Sequence, residues 1–505
     1  MRTERASGVL LHLTSLPGPH GSGDLGVEAR HFVDWLVGAG QSCWQFLPLG
    51  GIGDGDSPYM SSSAFAGNPL CIDLLELQAQ GWLDASEVEA LPQADALRVD
   101  FGSVVPWRMQ RLRQAAQRFA AGASAAQRED FAAFCAAQRA WLDDYALFMS
   151  LSAQRDGLGW ADWEPELARR DSAALTRARA GCASEIAFWQ FTQWCFERQW
   201  QALRGYANAR GVRLIGDLPM FVALHSADVW AHPELFQLDA AGRPVVVAGV
   251  PPDDFSDQGQ RWGNPLYRWD AHARTGYDWW IRRLRASFAR VDLVRIDHFR
   301  GFESCWEIPA AEADARRGAW VAAPGAALFG AARAALGELP VIAEDLGIIT
   351  PAVDALRREL GFPGMRVLQF GWGEGPGNDR HHLPHRYAPD AVVYPGTHDN
   401  DTSVGWWESA SAEQRRHVRD YLACDGGDIA WSFIRAACAS VAALAVYPMQ
   451  DILRLGSQSR MNCPGTPRGN WGWRFAWEQV EPGHAALLAR LCDLYGRAAP
   501  TETTT

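Results

Sequence analysis

The sequence predicts an α/β fold: a (β/α)8 TIM barrel carrying one helical and one loop-rich insertion around its mouth. Three observations predict it. Eight short apolar runs of strand length follow one another, each after the first preceded by helix signals or an insertion. The first two are joined by a strand–helix–strand spacing that makes neighbouring strands parallel. Polar side chains recur at the C-terminal ends of the runs, on the face where such barrels collect their reactive groups.

The first strand is read at 8–13 and leads into a Pro/Gly-rich loop, 15–26. A helix over 27–37 follows, its spacing set by Phe32, Trp35, Leu36 and Val37 and its end by Gly38 and Gly40. The second strand is 43–49. The intervening loop spells Gly21-Ser22-Gly23-Asp24-Leu25-Gly26, a literal G-x-G-x-x-G. A dinucleotide reading competes with a plain turn. Pro17-Gly18-Pro19-His20 separates the first glycine from the strand, and Asp24 falls where a pyrophosphate would lie. The turn is the better fit.

The first barrel segment runs to about residue 70 and ends in a polar loop, Gly51 to Tyr59. Residues 71–206, rich in Ala, Arg and Gln with helical periodicity, form the helical insertion; its last helix starts near Ser184. The third strand lies within 207–218 and ends at Asp217. Residues 219–275 are the loop-rich insertion. Strands four to eight, at 293–296, 340–345, 364–370, 391–399 and 444–449, occupy 276–499 with the closing helices; 500–505 is a tail.

Composition narrows the function. A net charge of −12 over 505 residues argues against nucleic acid or an anionic membrane as partner. The N-terminal apolar run is too short for a signal peptide, no run is long enough to span a membrane, and the ten cysteines are scattered without a C-x-x-C pair. A cytoplasmic protein with reduced thiols and no zinc site is expected. The positive charge is all arginine, and with no lysine a Schiff base, a pyridoxal phosphate anchor and a P-loop are ruled out. Twenty-four tryptophans are many; most belong in the core, and a subset in loops suits stacking on sugar rings.

The fourth strand, Leu293-Val294-Arg295-Ile296 followed by Asp297, organises the rest. Arg295 and Asp297 share a face, so they form either a structural ion pair or an aspartate held ionised for nucleophilic attack. Asp217, Glu344, Asp399 and Gln450 with Asp451 end other strands. Each carboxylate singly could be a helix N-cap; four on one face suit two-carboxylate glycoside chemistry. Retention needs carboxyl groups about 5–5.5 Å apart, one ionised and one protonated. Asp297 and Glu344, on neighbouring strands, fit these roles. Arg295 should lower the Asp297 pKa, and the apolar setting of Glu344 should raise its own.

The segments Arg295 to Gly301, Ala343-Glu344-Asp345-Leu346-Gly347 and Thr397-His398-Asp399-Asn400-Asp401-Thr402 resemble the signatures of the amylomaltases, 4-α-glucanotransferases of the α-amylase clan. Ser57-Pro58-Tyr59, Gly216-Asp217-Leu218-Pro219, Gly249-Val250-Pro251-Pro252-Asp253, Gly263-Asn264-Pro265-Leu266-Tyr267 and Pro464-Gly465-Thr466 with Gly469-Asn470-Trp471 extend the likeness along nearly the whole chain. The resemblance implies retaining transfer of α-1,4-glucan segments between malto-oligosaccharides, without a cofactor or metal. It assigns Asp297 as nucleophile, Glu344 as acid/base and Asp399 as transition-state stabiliser. Tyr59, Asp217, Trp262, Phe255, Arg295, His298, His398 and Asn470 would bind substrate; for both histidines and Trp262 a structural role competes. One position departs from the pattern: Asp254 stands where a tyrosine usually precedes Phe255, which implies weaker stacking at the lip of the site. A hydrolase on the same barrel and a silent glucan-binding protein are the rival readings.

Overall fold

The structure, a computed structural model, describes residues 5–252, 256–373 and 380–498. In chain order its strands are β1 (Ala6–Leu10), β2 (Cys43–Gln45), β3 (Arg213–Leu218), β4 (Val246–Val250), β5 (Gln260–Pro265), β6 (Leu293–Ile296), β7 (Ser304–Pro309), β8 (Ala319–Ala322), β9 (Val341–Ala343), β10 (Gly364–Val367), β11 (Ala391–Tyr394) and β12 (Leu444–Pro448). Eight of them close a barrel in the order β1-β12-β11-β10-β9-β6-β3-β2, with parallel pairing throughout. The expected (β/α)8 architecture is present. β1 starts and ends earlier than the sequence suggests, because Leu13–Ser15 turns as a 3-10 helix.

The barrel strands are short and buried on both faces, which is why they read as continuous apolar runs rather than alternating ones. Helix Val27–Gly38 crosses from β1 to β2, Ala183–Asn208 leads into β3 and Asp278–Arg290 into β6. Between β2 and β3, helices Phe101–Gly122 and Ala125–Ala153 join Ala183–Asn208 around an aromatic cluster in which Trp194 meets Trp82, Phe119, Phe131 and Phe191. Such ring pairs add about 0.5–1.5 kcal/mol each beyond their buried area. Trp44, Trp194, Trp200, Trp230, Trp279, Trp280 and Trp372 are fully buried, so much of the tryptophan content serves packing.

A second sheet was not foreseen. β4, β5, β7 and β8 form an antiparallel sheet in the order β5-β4-β7-β8. It draws two strands from the loop-rich segment before β6 and two from the stretch after it. Along the chain, the turn after β6 thus falls between the two pairs of strands.

The G-x-G-x-x-G loop is a packed turn. A Cβ at Gly23 would lie 2.0 Å from the Leu13 carbonyl oxygen, and one at Gly21 2.6 Å from Val104. Asp24 accepts from Gly26 N at 3.1 Å and from buried Arg108 at 2.8 Å, so its charge is neutralised internally. At the opposite end of the barrel, buried Arg497 donates to the carbonyls of Ala6, Cys438, Ser440, Ala442 and Ala443. This single guanidinium fork satisfies backbone acceptors on both sides of the β1–β12 seam. Among the described residues no helix is long and apolar enough to cross a membrane.

Candidate active site

Parallel register puts the polar strand ends together. Asp217 on β3 is opposite Arg295 on β6, and Arg295 is opposite Ile342 on β9. Asp297 N then donates to Leu218 O at 3.0 Å and Glu344 N to Ile296 O at 3.0 Å. Asp217, Asp297 and Glu344 therefore sit on three neighbouring strands at the same barrel end.

Arg295 is the hub. Its Nη1 bonds both Asp217 oxygens, at 2.8 and 2.7 Å, and its Nη2 pairs with Asp297 at 3.0 Å. The Asp217 side chain is fully buried and that of Arg295 is 4% exposed, whereas Asp297 keeps 30% of its side-chain surface open to the mouth. Burial works against the Arg295 charge, but Asp217 and Asp297 beside it hold its proton well above the ordinary range.

The expected lowering of Asp297 is corrected. Burial pushes its pKa up to about 6; Arg295 pulls down, while Asp217 and Asp399 push up again. The ion pair and the net shift thus point in opposite directions. Burial together with two neighbouring carboxylates outweighs a cation whose closest contacts are given to Asp217, although the open side of Asp297 lets solvent soften the effect. Glu344 follows expectation. Burial raises it to about 8, with Asp297 adding to the rise and Arg295 opposing it.

Glu344 is gripped by backbone amides. His298 N donates to one carboxyl oxygen at 2.7 Å and Leu346 N to the other at 2.8 Å. His298 adopts the left-handed conformation, φ 51° and ψ 48°, which is strained for a residue with a Cβ. That turn aims its amide at the Glu344 carboxyl and the next amide, Phe299 N, at the Glu344 carbonyl, 3.1 Å away. The His298 ring stands edge-on to Trp262 at 4.8 Å, and burial lowers its pKa to about 3, so it is neutral.

Tyr59 closes the other side. Its hydroxyl bonds Asp217 at 2.8 Å and His398 Nε2 at 2.8 Å. The one phenolic proton goes to the carboxylate, which only accepts, so His398 Nε2 must donate. The same nitrogen lies 3.5 Å from Asp399 Oδ1, and the Tyr59 and His398 rings stack at 5.5 Å. Asp399, after β11, accepts from Asn462 Nδ2 at 2.6 Å, and its carbonyl accepts from Arg460 at 3.0 Å.

Asp451 and Asn470 make bonds that hold the surrounding chain. Asp451 receives the amide and hydroxyl of Ser403, both at 2.7 Å, anchoring the start of helix Ser403–Ser409. Asn470 spends its amide within its own loop, on Cys463 N and on Thr466. Asp254 and Phe255 lie outside the described residues. Asn462 and His12 escaped the sequence reading. His12 is buried, lowered to about 3 by burial and then by His398, and with His398 it lines a cavity of about 30 Å³. Neither sits in a periodic pattern that could have exposed it.

The sequence model of the glycoside hydrolase 77 family, described as 4-alpha-glucanotransferase, matches residues 11–479. The chain belongs to the 4-alpha-glucanotransferase family. It is 51% identical to the 4-alpha-glucanotransferase of Thermus thermophilus over 98% of this chain and 99% of that one, and 48% identical to that of Synechocystis over the same shares. Among solved structures, the amylomaltase from Streptococcus agalactiae in complex with acarbose superposes with a TM-score of 0.94 at 38% identity, covering 98% of this chain and 100% of that one. The amylomaltase from Corynebacterium glutamicum, 19% identical with a TM-score of 0.79 over 96% of this chain and 75% of its own, shares the fold. The 4-alpha-glucanotransferase activity that the resemblance implied is the activity of this enzyme.

Proposed function

We propose that this 4-alpha-glucanotransferase moves α-1,4-linked glucan segments between malto-oligosaccharides with retention, through a covalent glucosyl-enzyme. Asp297 attacks the anomeric carbon as Glu344 gives its proton to the departing glycosidic oxygen. The released segment leaves. Glu344, now ionised, takes the proton from the 4-hydroxyl of an incoming glucan, which displaces Asp297. Asp399 faces the same space and offsets the positive charge that develops on the sugar ring.

The observation that carries this reading is the split between two carboxyls on adjacent strands. Asp297 lies against a guanidinium and is open to the mouth, with a pKa of about 6. Glu344 is held near 8, so at neutral pH one is mostly ionised and the other mostly protonated. Tyr59, Asp217, Arg295, His298, His398 and Trp262 surround them and would bind the sugar hydroxyls and ring faces. The ten cysteines, free in the structure, support a reducing, cytoplasmic location.

Incubation of purified enzyme with maltotriose, with products resolved by length, tests the proposal. Longer oligomers accompanied by glucose are expected, and Asp297→Asn should abolish both. Maltose and glucose alone would instead mark a hydrolase.

A further inference from the structure

β8 is an unusual strand for a protein with so large a core. All four of its residues, Ala319–Ala322, are exposed, and one of them is a tryptophan. Trp320 keeps 37% of its surface in solvent, where an indole gains nothing from burial. It is nevertheless held firmly. Trp306 on β7 is its directly opposed cross-strand partner, with ring centroids 5.3 Å apart at 61°. The Arg300 guanidinium lies over the Trp320 ring, 3.5 Å from its centroid. Arg300 is itself 4% exposed and belongs to the 3-10 turn Phe299–Phe302 that follows Asp297 and His298.

Arg300 also fixes where this ring lies relative to the site. Its Nη1 donates to the carbonyl of Ile348, in the loop that leaves Glu344 through Leu346 and Gly347. Ile348 is 50% exposed and Gly347 is exposed too. One buried guanidinium thus ties an exposed tryptophan to an exposed loop only four residues beyond the proton donor. Through Ile348 the strip is joined to the loop that follows Glu344, the group that protonates the departing glucan segment in the reading above.

We infer that Trp320 is a remote glucan-binding platform, on which a sugar unit of a long segment stacks after passing Ile348. The inference rests on that functional reading. An indole fixed on two sides offers a rigid apolar surface at little entropic cost, and a pyranose ring presents a complementary C–H face. Arg300 covers one face of the ring through a cation–π contact, so the sugar stacks on the part of the indole that stays in solvent. Short oligosaccharides, whose few units are used up at the carboxylates, do not reach it.

The test compares maltotriose with maltoheptaose on the full chain and on Trp320→Ala and Trp320→Phe. Trp320→Ala should raise KM for maltoheptaose about fivefold, the order expected for one lost aromatic contact. It should leave kcat and the maltotriose KM unchanged, and Trp320→Phe should recover most of the loss. Equal KM values in all three proteins, or an equal rise for both sugars, would overturn the platform. So would light scattering showing that Trp320→Ala dissociates an oligomer, since the ring would then cover a second copy of the chain. Calorimetric titration of maltoheptaose into each protein carrying Asp297→Asn as well, which stops transfer, reads the platform without turnover. A fivefold weaker Kd in Trp320→Ala supports it and an unchanged Kd refutes it, even if the wild type fails to elongate maltotriose and the transfer mechanism itself falls.

Discussion

Arg295 and Asp297 face the same way from one strand, yet Arg295 gives one terminal nitrogen wholly to Asp217, at 2.8 and 2.7 Å, and reaches Asp297 with the other at 3.0 Å. The fully buried carboxylate has first claim on the cation, and the reactive one takes what remains. Replacing Arg295 therefore injures two sites at once. Arg295→Met should cost about 3–5 kcal/mol of stability, because it leaves the Asp217 charge buried and unpaired. Arg295→Lys keeps a charge but lacks the fork that spans two carboxylates. Denaturant unfolding and transfer rates measure both, and wild-type stability in Arg295→Met would refute the hub.

The two catalytic carboxyls set the pH profile. Asp297 must be ionised and Glu344 protonated, so kcat/KM on maltotriose should fall on the acid side near pH 6 and on the alkaline side near pH 8. The two limbs belong to the coupled pair rather than to either residue alone. A profile flat from pH 5 to 9 would contradict this assignment.

The raised Glu344 has a stability consequence of definite sign. Its folded pKa, about 8, exceeds the ordinary 4.5, so the folded state binds the extra proton between these values. Stability is full below the lower value and is lost as pH rises through the upper one. Glu344→Gln removes that loss. It should be inactive, yet more stable than wild type at pH 9 by on the order of 2 kcal/mol, after discounting for partial exposure. At pH 4.5 the two proteins should unfold alike. Thermal melts at the two pH values decide.

Asn462 offers its amide to Asp399 at 2.6 Å, while its backbone N–H holds the His398 carbonyl at 3.1 Å. Asn462→Ala should lower kcat roughly 10- to 100-fold, the worth of one charge-assisted hydrogen bond in a closed site, with little change in KM. In an Asp399→Asn background the same substitution should add almost nothing. Full additivity in that double-mutant cycle would show that Asn462 acts elsewhere.

Tyr59→Phe removes a hydroxyl shared by Asp217 and His398. The His398 Nε2–H then keeps only its longer approach to Asp399, 3.5 Å. A loss of about 1–2 kcal/mol in transition-state binding, near tenfold in kcat/KM, is expected. Unchanged kcat/KM would mean that the tyrosine contributes only its ring.

The barrel and its three central carboxylates were legible because they depend on local order. An apolar run ending in Arg295-Ile296-Asp297 declares both its strand and the shared face of its charges. What escaped depends on distance along the chain. Asn462 gains its meaning from Asp399, 63 positions away. The net rise at Asp297 needs Asp217 and Asp399 brought in by other strands. The second sheet stayed hidden because β8 is exposed on both faces and shows no alternation, and because β4 finds β7 only after β6 has intervened. Asp451 was placed at the correct barrel end, but its alignment with Ser403 is a matter of packing.

That intervening topology dictates an order of assembly. A chain emerging from its N-terminus presents β4 and β5 before β6 exists, and the β4 edge stays open until residues 304–309 arrive to pair with it. By then Asp217, Arg295 and Asp297 have all been synthesised. The β1–β12 seam must wait for residues 444–448, which pair with residues 6–10. The antiparallel sheet can thus pair while the cylinder beside it is still open, and Glu344, Asp399 and Asn462 join the site only as the later strands arrive. The seam whose two strands lie furthest apart along the chain is in a wall that carries neither the nucleophile nor the proton donor.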